Sequence, residues 1–398
     1  MNIKASEAIK NPSLSLNDTY SKKAFYYFLF IAGIQGLLGR VIGYFLPIYF
    51  EQLGYSGVHT GIYFTFASLS TIIMSLPMGI TTDKKPIAYI FMLSFFIIGL
   101  SYVGFIISNS FIIFCLFAFF RSFGMRFFNT AKQSMFFKIS KNDTPVESGQ
   151  YQFANFLFMG VGMLVGAFII SRFSFRHAFI TVAISNFVLI IFSYFVPRTE
   201  TVAIKIEEYK KAIFTPKILF LVVIFFLSSL HWGAENVSYS MFLKNSLGLD
   251  IQGTGIYTGL GFFFVGIGAY LGVILVQKKI IKNLETILII GFFMGGLFHI
   301  LMCVNNLYIS FFFRVLHEIG DGLVFLAFFY GISKIFHVST VGGCAAFITL
   351  WMGIGNFSGS ILFGYIGDTW GNHWSLIVSG IILMFIPLLI YLRKKVVM

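Results

Sequence analysis

Twelve times between residues 24 and 392 the chain passes through an apolar run, and only short polar turns separate most of them. Each run approaches or exceeds the roughly 20 residues that a helix needs to cross the hydrocarbon core of a bilayer. Inside lipid the backbone must satisfy its own hydrogen bonds, so a spanning segment is either a helix or a strand of a closed barrel. Barrel strands alternate apolar and polar positions over short segments. These runs are continuously apolar, so the fold class is an all-α polytopic membrane protein with twelve transmembrane helices. Composition agrees: mean hydropathy is +0.87, with 58% hydrophobic and 11% charged residues, well away from a soluble domain. The runs fall at 24–50, 59–80, 86–108, 110–136, 151–171 and 177–196, then at 218–243, 253–276, 284–304, 307–333, 341–366 and 373–392.

This spacing divides the chain into a polar tail at 1–23, a six-helix half at 24–196, a polar linker at 197–217, a second six-helix half at 218–392 and a basic end at 393–398. The tail lacks the apolar core and small-residue cleavage site of a secretion signal. An internal repeat relates the halves. Thr60-Gly61-Ile62-Tyr63 opens the second run and Thr254-Gly255-Ile256-Tyr257 opens the eighth. The same separation carries Lys84-Lys85 onto Lys278-Lys279. Six spans apart, the copies run in the same direction, the parallel arrangement that makes the two halves pseudo-symmetric and puts a binding site at their interface. Lys and Arg crowd onto one set of connecting segments, which includes the tail, the linker and the C-terminal end. The opposite set holds only Arg172, Arg176 and Lys244. Basic loops stay cytoplasmic, so both termini are expected in the cytoplasm, with the protein in the plasma or inner membrane. The same placement accounts for the net charge of +13 with no nucleic-acid partner.

Charged residues inside the runs are few and concentrated. The first run has Arg40, the fourth Arg121 and Arg126, the seventh Glu235, and the tenth Arg314, Glu318 and Asp321. A charge at the centre of a membrane helix costs about 2.5–3.5 kcal/mol on insertion scales, so such residues face a polar interior. In a repeated bundle the first, fourth, seventh and tenth helices occupy equivalent places. The expectation is a polar cavity lined by these four. Gln35, Asn129, Trp232 and Asn236 join the arginines Arg40, Arg121, Arg126 and Arg314 as its substrate-facing residues.

The tenth run carries the densest cluster. Arg314, His317, Glu318 and Asp321 are three or four apart and share one helix face. At about 1.5 Å rise per residue, Glu318 and Asp321 fall within roughly 3 Å of the midplane, and Arg40, Glu235 and Arg314 roughly 4–9 Å to the outer side. Glu235 therefore has Arg40 or Arg314 at its own depth. An Arg314–Glu318 pair would neutralise two charges and leave His317 and Asp321 unexplained. Buried carboxylates and imidazoles are the groups that relay protons across membranes. The candidates for proton coupling are Asp321, Glu318, Glu235, His317 and His231. Glu318 is read as the acid paired with Arg314, and Asp321 as the one that takes and releases a proton. His231 and Glu235, four apart, suit either a relay or a purely structural pair.

No H-E-x-x-H, G-x-S-x-G or P-loop pattern points to an enzyme. Cys115, Cys303 and Cys344 lie in separate runs without metal-ligand spacing, so no disulfide, metal or cofactor is expected. Glycines recur at close spacing in the first, fifth and eleventh runs, for example Gly162 and Gly166, and Gly355 and Gly359, where they let helices approach closely.

The twelve runs, the repeat and the loop Gly79-Ile80-Thr81-Thr82-Asp83-Lys84-Lys85 resemble the major facilitator superfamily over residues 24–395. The loop is similar to that family's Gly-x-x-x-Asp-(Arg/Lys)-x-Gly-(Arg/Lys) signature. The resemblance implies that Gly79 permits tight helix contact and that Asp83 and Lys84 belong to a conformational latch. Pro86 stands near the signature's second glycine, and Gln277 takes the place of Asp83 in the second half. Arg121, in Phe119-Phe120-Arg121-Ser122-Phe123-Gly124, resembles the family's fourth-span arginine motif, which is linked to proton coupling. Gly162-Met163-Leu164-Val165-Gly166-Ala167 resembles the antiporter motif Gly-x-x-x-Gly-Pro without its proline. Leu316-His317 resembles the coupling pair of the sugar symporters, with Gln152 where these have a sugar-binding arginine, so a β-galactoside is not the expected substrate. The resemblance implies a secondary active transporter, read here as a monomer, that moves a small polar or anionic metabolite by alternating access with proton coupling. A proton-driven drug or metabolite efflux antiporter is the alternative.

Overall fold

Every apolar run is helical in the computed structural model, which describes residues 18–139, 145–196, 206–336 and 341–397. Among the described residues, twelve helices are long and apolar enough to cross a membrane. Numbered in chain order, spans 1–6 are Phe25–Gln52, Gly57–Thr82, Ile87–Ile107, Phe111–Phe136, Pro145–Arg172 and Phe175–Ser193. Spans 7–12 are Pro216–Asn245, Ile251–Gln277, Leu284–Leu301, Leu307–Ile332, Gly343–Trp370 and Asn372–Arg393. No strand occurs among the described residues.

Most ends fall close to the polar edges of the runs, and the two largest departures have local causes. Span 5 starts at Pro145, well before the apolar edge at 151. A proline is at home in the first helical turn, where its missing N–H has no partner to lose, and Gly149 then packs on Val273 of span 8. Span 11 runs on to Trp370. Its last turns carry Asp368, whose carboxylate accepts the backbone N–H groups of Gly57 and Val58 at 2.8 and 2.7 Å. These are orphan donors at the start of span 2, and a carboxylate there also meets the positive end of the helix dipole. Within the linker, Ile206–Ile213 forms a short helix that the sequence pattern does not announce. The first helix begins at Asp18, inside the stretch read as a tail. The rest of that tail and residues 197–205 lie outside the described residues.

The packing repeats. In the first half, span 1 packs on spans 5 and 6, span 3 on spans 4 and 6, and span 2 on span 4. Adding six to each number yields the pairs of the second half: 7 with 11 and 12, 9 with 10 and 12, and 8 with 10. The halves meet where span 2 packs on span 11 and span 5 on span 8, and the same operation exchanges these two contacts. The helix starts repeat as well. Ser56 caps span 2 by accepting from the backbone N–H of His59, and Asp250 caps span 8 by accepting from Gly253.

Small residues set the closest crossings. A Cβ on Gly162 or Gly166 of span 5 would run into the carbonyls of Leu37 and Val41 in span 1. A Cβ on Gly355 or Gly359 of span 11 would meet the carbonyls of Phe226 and Leu230 in span 7. Both are the same crossing, once per half, with two glycines four apart on one face. Large apolar side chains such as Ile107, Ile112, Phe168, Ile191 and Phe385 stay exposed on the outside of the bundle. Patches of that kind mark contact with a lipid or protein surface rather than water.

One charge departs from the sequence reading. Lys132, not counted there among the charges inside the runs, lies inside span 4. Its amine donates to Asn155 Oδ1 at 3.2 Å and sits over the rings of Phe128 and Tyr151 at 5.5 and 5.8 Å. The stem of a lysine packs on apolar surface while its head finds a polar partner, so a span end can hold one.

Candidate functional site

Two helices break where the polar residues lie. Span 1 is helical over Asp18–Gly43 and again over Leu46–Gln52, with Pro47 at the start of the second piece and Tyr44 in the break. Span 7 widens into a π-helical turn over Glu235–Tyr239. Such turns are rare and concentrate at functional sites. The two breaks occupy corresponding places in the repeat, because the separation that relates Thr60 to Thr254 carries Tyr44 onto Ser238.

Arg314 is the hub. It is 2% exposed, with one guanidinium nitrogen 2.5 Å from Glu235 Oε1 and another 2.5 Å from Glu318 Oε1. The plane of the guanidinium lies over the Tyr239 ring at 4.2 Å. A planar, multiply donating cation suits this better than a lysine, whose charge is a point. Tyr44 of span 1 donates to Glu235 Oε2 at 3.5 Å, so the first half reaches the network through one hydroxyl. Arg40 does not pair with Glu235, although its depth allowed it. It packs over Phe262 of span 8 at 4.7 Å and over Tyr44 at 5.2 Å, as a cation–π contact.

Three buried imidazoles complete the cluster: His231 on span 7, His299 on span 9 and His317 on span 10. Ring centroids of His231 and His299 are 4.1 Å apart, and those of His299 and His317 are 4.8 Å apart. Their tautomers follow from the hydrogen-bond network. His317 Nδ1 is 2.7 Å from the Gly295 carbonyl, which can only accept, so Nδ1 carries the proton. Ser379 of span 12 gives its hydroxyl proton to the Leu376 carbonyl at 2.8 Å. Its oxygen is then an acceptor for His231 Nδ1 at 3.2 Å and His299 Nε2 at 3.4 Å. Among the described residues, the opposite nitrogens, His231 Nε2, His299 Nδ1 and His317 Nε2, have no hydrogen-bond partner. His299 Nδ1 lies 3.9 Å and His317 Nε2 3.7 Å from Glu235 Oε1, and His317 Nε2 lies 3.8 Å from Asp321.

The structure therefore brings Glu235, Arg314, His317, Glu318, Asp321 and His231 into one network. Sequence reasoning missed His299, Ser379, Tyr44 and Tyr239. A histidine inside the ninth apolar run was the available signal for His299, since an ionisable group within a span is a functional candidate by default. The remaining cavity candidates stay apart from this network. Arg121 lies beside the phenols of Tyr63 and Tyr102, and Arg126 donates to Thr71 Oγ1 at 3.3 Å. Gln35 donates to the Met125 sulfur at 3.2 Å, and Trp232 stacks on Phe325 with ring centroids 5.5 Å apart. Asn129 and Asn236 are half-buried. Among the described residues, neither Arg121 nor Arg126 has a carboxylate partner. At the signature loop Gly79 is buried and Lys84 exposed, while the side chain of Asp83 lies outside the described residues. A separate cavity of about 630 Å³ opens between spans 7, 9, 10 and 12, rimmed by Lys217, Lys282, Lys334 and Arg393. None of its lining residues belongs to the charged network.

The sequence profile of the Major Facilitator Superfamily matches residues 28–284 and 221–397. No curated protein sequence matches the chain. Among solved structures it is similar to a bacterial homolog of the human lysosomal transporter Spinster, in an inward-facing and unoccupied conformation. The TM-score is 0.74 at 14% identity, covering 95% of this chain and 98% of that one. It is also similar to the human organic anion transporter MFSD10 (TETRAN), with a TM-score of 0.72 at 11% identity, covering 93% and 99%. The nucleoside transporter NupG follows with a TM-score of 0.71 at 13% identity, covering 94% and 99%.

Proposed function

This chain belongs to the major facilitator superfamily, and from that membership we propose a proton-coupled secondary active transporter that moves a small polar or anionic metabolite by alternating access. The observation that carries the coupling is the buried network of span 10. Three carboxylates, Glu235, Glu318 and Asp321, gather near one guanidinium, and the hydroxyl of Tyr44 from the other half bonds to Glu235. Negative charge in excess inside a bundle needs compensation, and a proton that arrives on one side and leaves on the other supplies it. Glu318 and Glu235 are held by Arg314. Asp321 meets His317 instead, at 3.8 Å, and is the acid free to exchange a proton.

The first half supports the choice of substrate class. Arg121, Arg126 and Lys132 put three positive charges into span 4 with neutral partners: Tyr63 and Tyr102, Thr71, and Asn155. An anionic substrate supplies the missing counter-charge. One structural neighbour is described as an organic anion transporter and another as a nucleoside transporter, which is consistent with a polar cargo.

A thermal-shift screen of metabolites identifies the cargo, because a ligand of the folded state raises apparent stability. Uptake of that cargo into proteoliposomes under an imposed pH gradient then tests the coupling, and the sign of the flux distinguishes import from export. Asp321→Asn is expected to abolish accumulation against a gradient yet retain substrate exchange at equal pH, since exchange needs no net proton movement. Accumulation that survives Asp321→Asn places the coupling elsewhere.

We propose further that both termini and the linker are cytoplasmic, from the crowding of Lys and Arg on their side. With Cys115, Cys303 and Cys344 replaced by serine, a cysteine at exposed Asn306 is expected to react with an impermeant maleimide in intact cells. A cysteine at Lys210 is expected to react only after the cells are opened. The reverse pattern overturns the orientation.

A further inference from the structure

We propose that His231, Glu235, His299 and His317 form a binding site for one divalent transition-metal ion of the zinc class, held within the second half. One ligand atom from each of these residues lies within 4.8 Å of the other three, and all four residues are buried. A set of three imidazoles and one carboxylate suits imidazole-preferring divalent ions.

The direction of the lone pairs carries the argument. Each imidazole spends its proton outward, two on Ser379 Oγ and one on the Gly295 carbonyl. Each therefore turns a bare nitrogen inward, and those three nitrogens are the ones left without a partner. A buried acceptor with nothing to accept is costly, about 1–3 kcal/mol. Three such nitrogens around one carboxylate leave a space that a Lewis acid fills and that a further hydrogen-bond acceptor cannot. The outward bonds are what metal-ligating histidines usually make, because a fixed second nitrogen sets the ring orientation.

Charge agrees with a dication. Glu235 supplies an anionic ligand, and Glu318 and Asp321 beside it keep the surroundings of the single Arg314 guanidinium net negative. Glu235 keeps capacity for it, since an ionised carboxylate accepts at about four lone-pair positions, and Arg314 and Tyr44 use two of these. Around a tetrahedral zinc with ligands at about 2.0–2.1 Å, ligand atoms sit roughly 3.4 Å apart, so separations of up to 4.8 Å close by up to about 1.4 Å on binding. The ligands come from spans 7, 9 and 10, all in one half. The ion therefore ties three helices of that half together without bridging the halves, and leaves their relative motion free.

The test uses full-length protein purified without a histidine tag, with Co²⁺ as a visible probe and Zn²⁺ for structure. The expected result is one Co²⁺ per chain after gel filtration, with the visible absorption of a four-coordinate ion. Replacing the other histidines, His59, His177, His337 and His373, by Gln should leave this unchanged. His299→Gln should abolish it, and Ser379→Ala should weaken it roughly 10- to 100-fold, the usual effect of losing an outer hydrogen-bond partner. Absence of stoichiometric Co²⁺, or binding that survives His299→Gln, overturns the proposal. If His299→Gln does not fold, X-ray absorption on the zinc-loaded wild type decides. Three imidazole nitrogens and an oxygen at about 2.0–2.1 Å support the site, and fewer than three imidazoles refute it. These readouts need no substrate, so their failure leaves the transport reading standing, and failure of transport leaves them interpretable.

Discussion

Arg314→Leu removes the folded protein from the membrane, or leaves it with a thermal unfolding midpoint far below the wild type. The guanidinium is the hub between Glu235 and Glu318 at 2.5 Å each, in a site where all three side chains are nearly sealed from solvent. Deleting it strands two carboxylates side by side, and breaking a buried pair from one side costs about 3–5 kcal/mol. Glu318→Gln is expected to be milder. From the sequence, Glu318 is the acid paired with Arg314; in the structure the arginine also holds Glu235 and stays neutralised without Glu318. Its loss is that of one charged hydrogen bond, about 1.5–3 kcal/mol. Thermal unfolding in detergent ranks the variants. An Arg314→Leu protein as stable as the wild type, or less damaged than Glu318→Gln, would mean that Arg314 is not the hub.

Gly166→Val and Gly359→Val should each prevent assembly of the half in which they lie. The new Cβ meets a backbone carbonyl, Val41 in the first case and Leu230 in the second. A carbonyl engaged in a helix cannot rotate away as a side chain can, so the helices must separate along their length. Overpacking in a core costs about 1–3 kcal/mol even where side chains can adjust, and here they cannot. Gly43→Ala is the control, because nothing lies within 4 Å of its added carbon. Monodisperse protein recovered from membranes and its unfolding midpoint give the comparison. Normal recovery of Gly166→Val would show that span 1 and span 5 are not held at this distance.

The charged network around Arg314 marks where sequence reading reaches and where it stops. Arg314 and Glu318 are four apart on one helix, so their pairing follows from the helical period alone, and the ion pair is present. Glu235 lies on another helix. Its choice of Arg314 over Arg40 depended on which faces of spans 1, 7 and 10 turn toward each other, and depth along the membrane normal could not separate the two. His299 sits in a span with no Asp, Glu, Lys or Arg near its middle, and Ser379 in another. Ser379 carries no signal of its own, and the lone histidine of span 9 says nothing about its partners; the two meet only because span 12 packs between spans 7 and 9. The arginines of the fourth span, read from the sequence as lining the same cavity, lie apart from this network and meet the neutral groups of spans 2 and 3.

What the sequence by itself determined is the spanning architecture. Hydrocarbon admits no unsatisfied backbone, so length and apolarity alone dictate twelve helices. The duplicated Thr-Gly-Ile-Tyr and Lys-Lys segments dictate that the halves repeat. Only the tertiary structure decided how the polar side chains group. Within lipid nearly every face of a helix is apolar, and hydrophobicity does not distinguish one helix partner from another. Close-packed glycines and a few buried hydrogen bonds make that choice, and their geometry exists only once the helices have met.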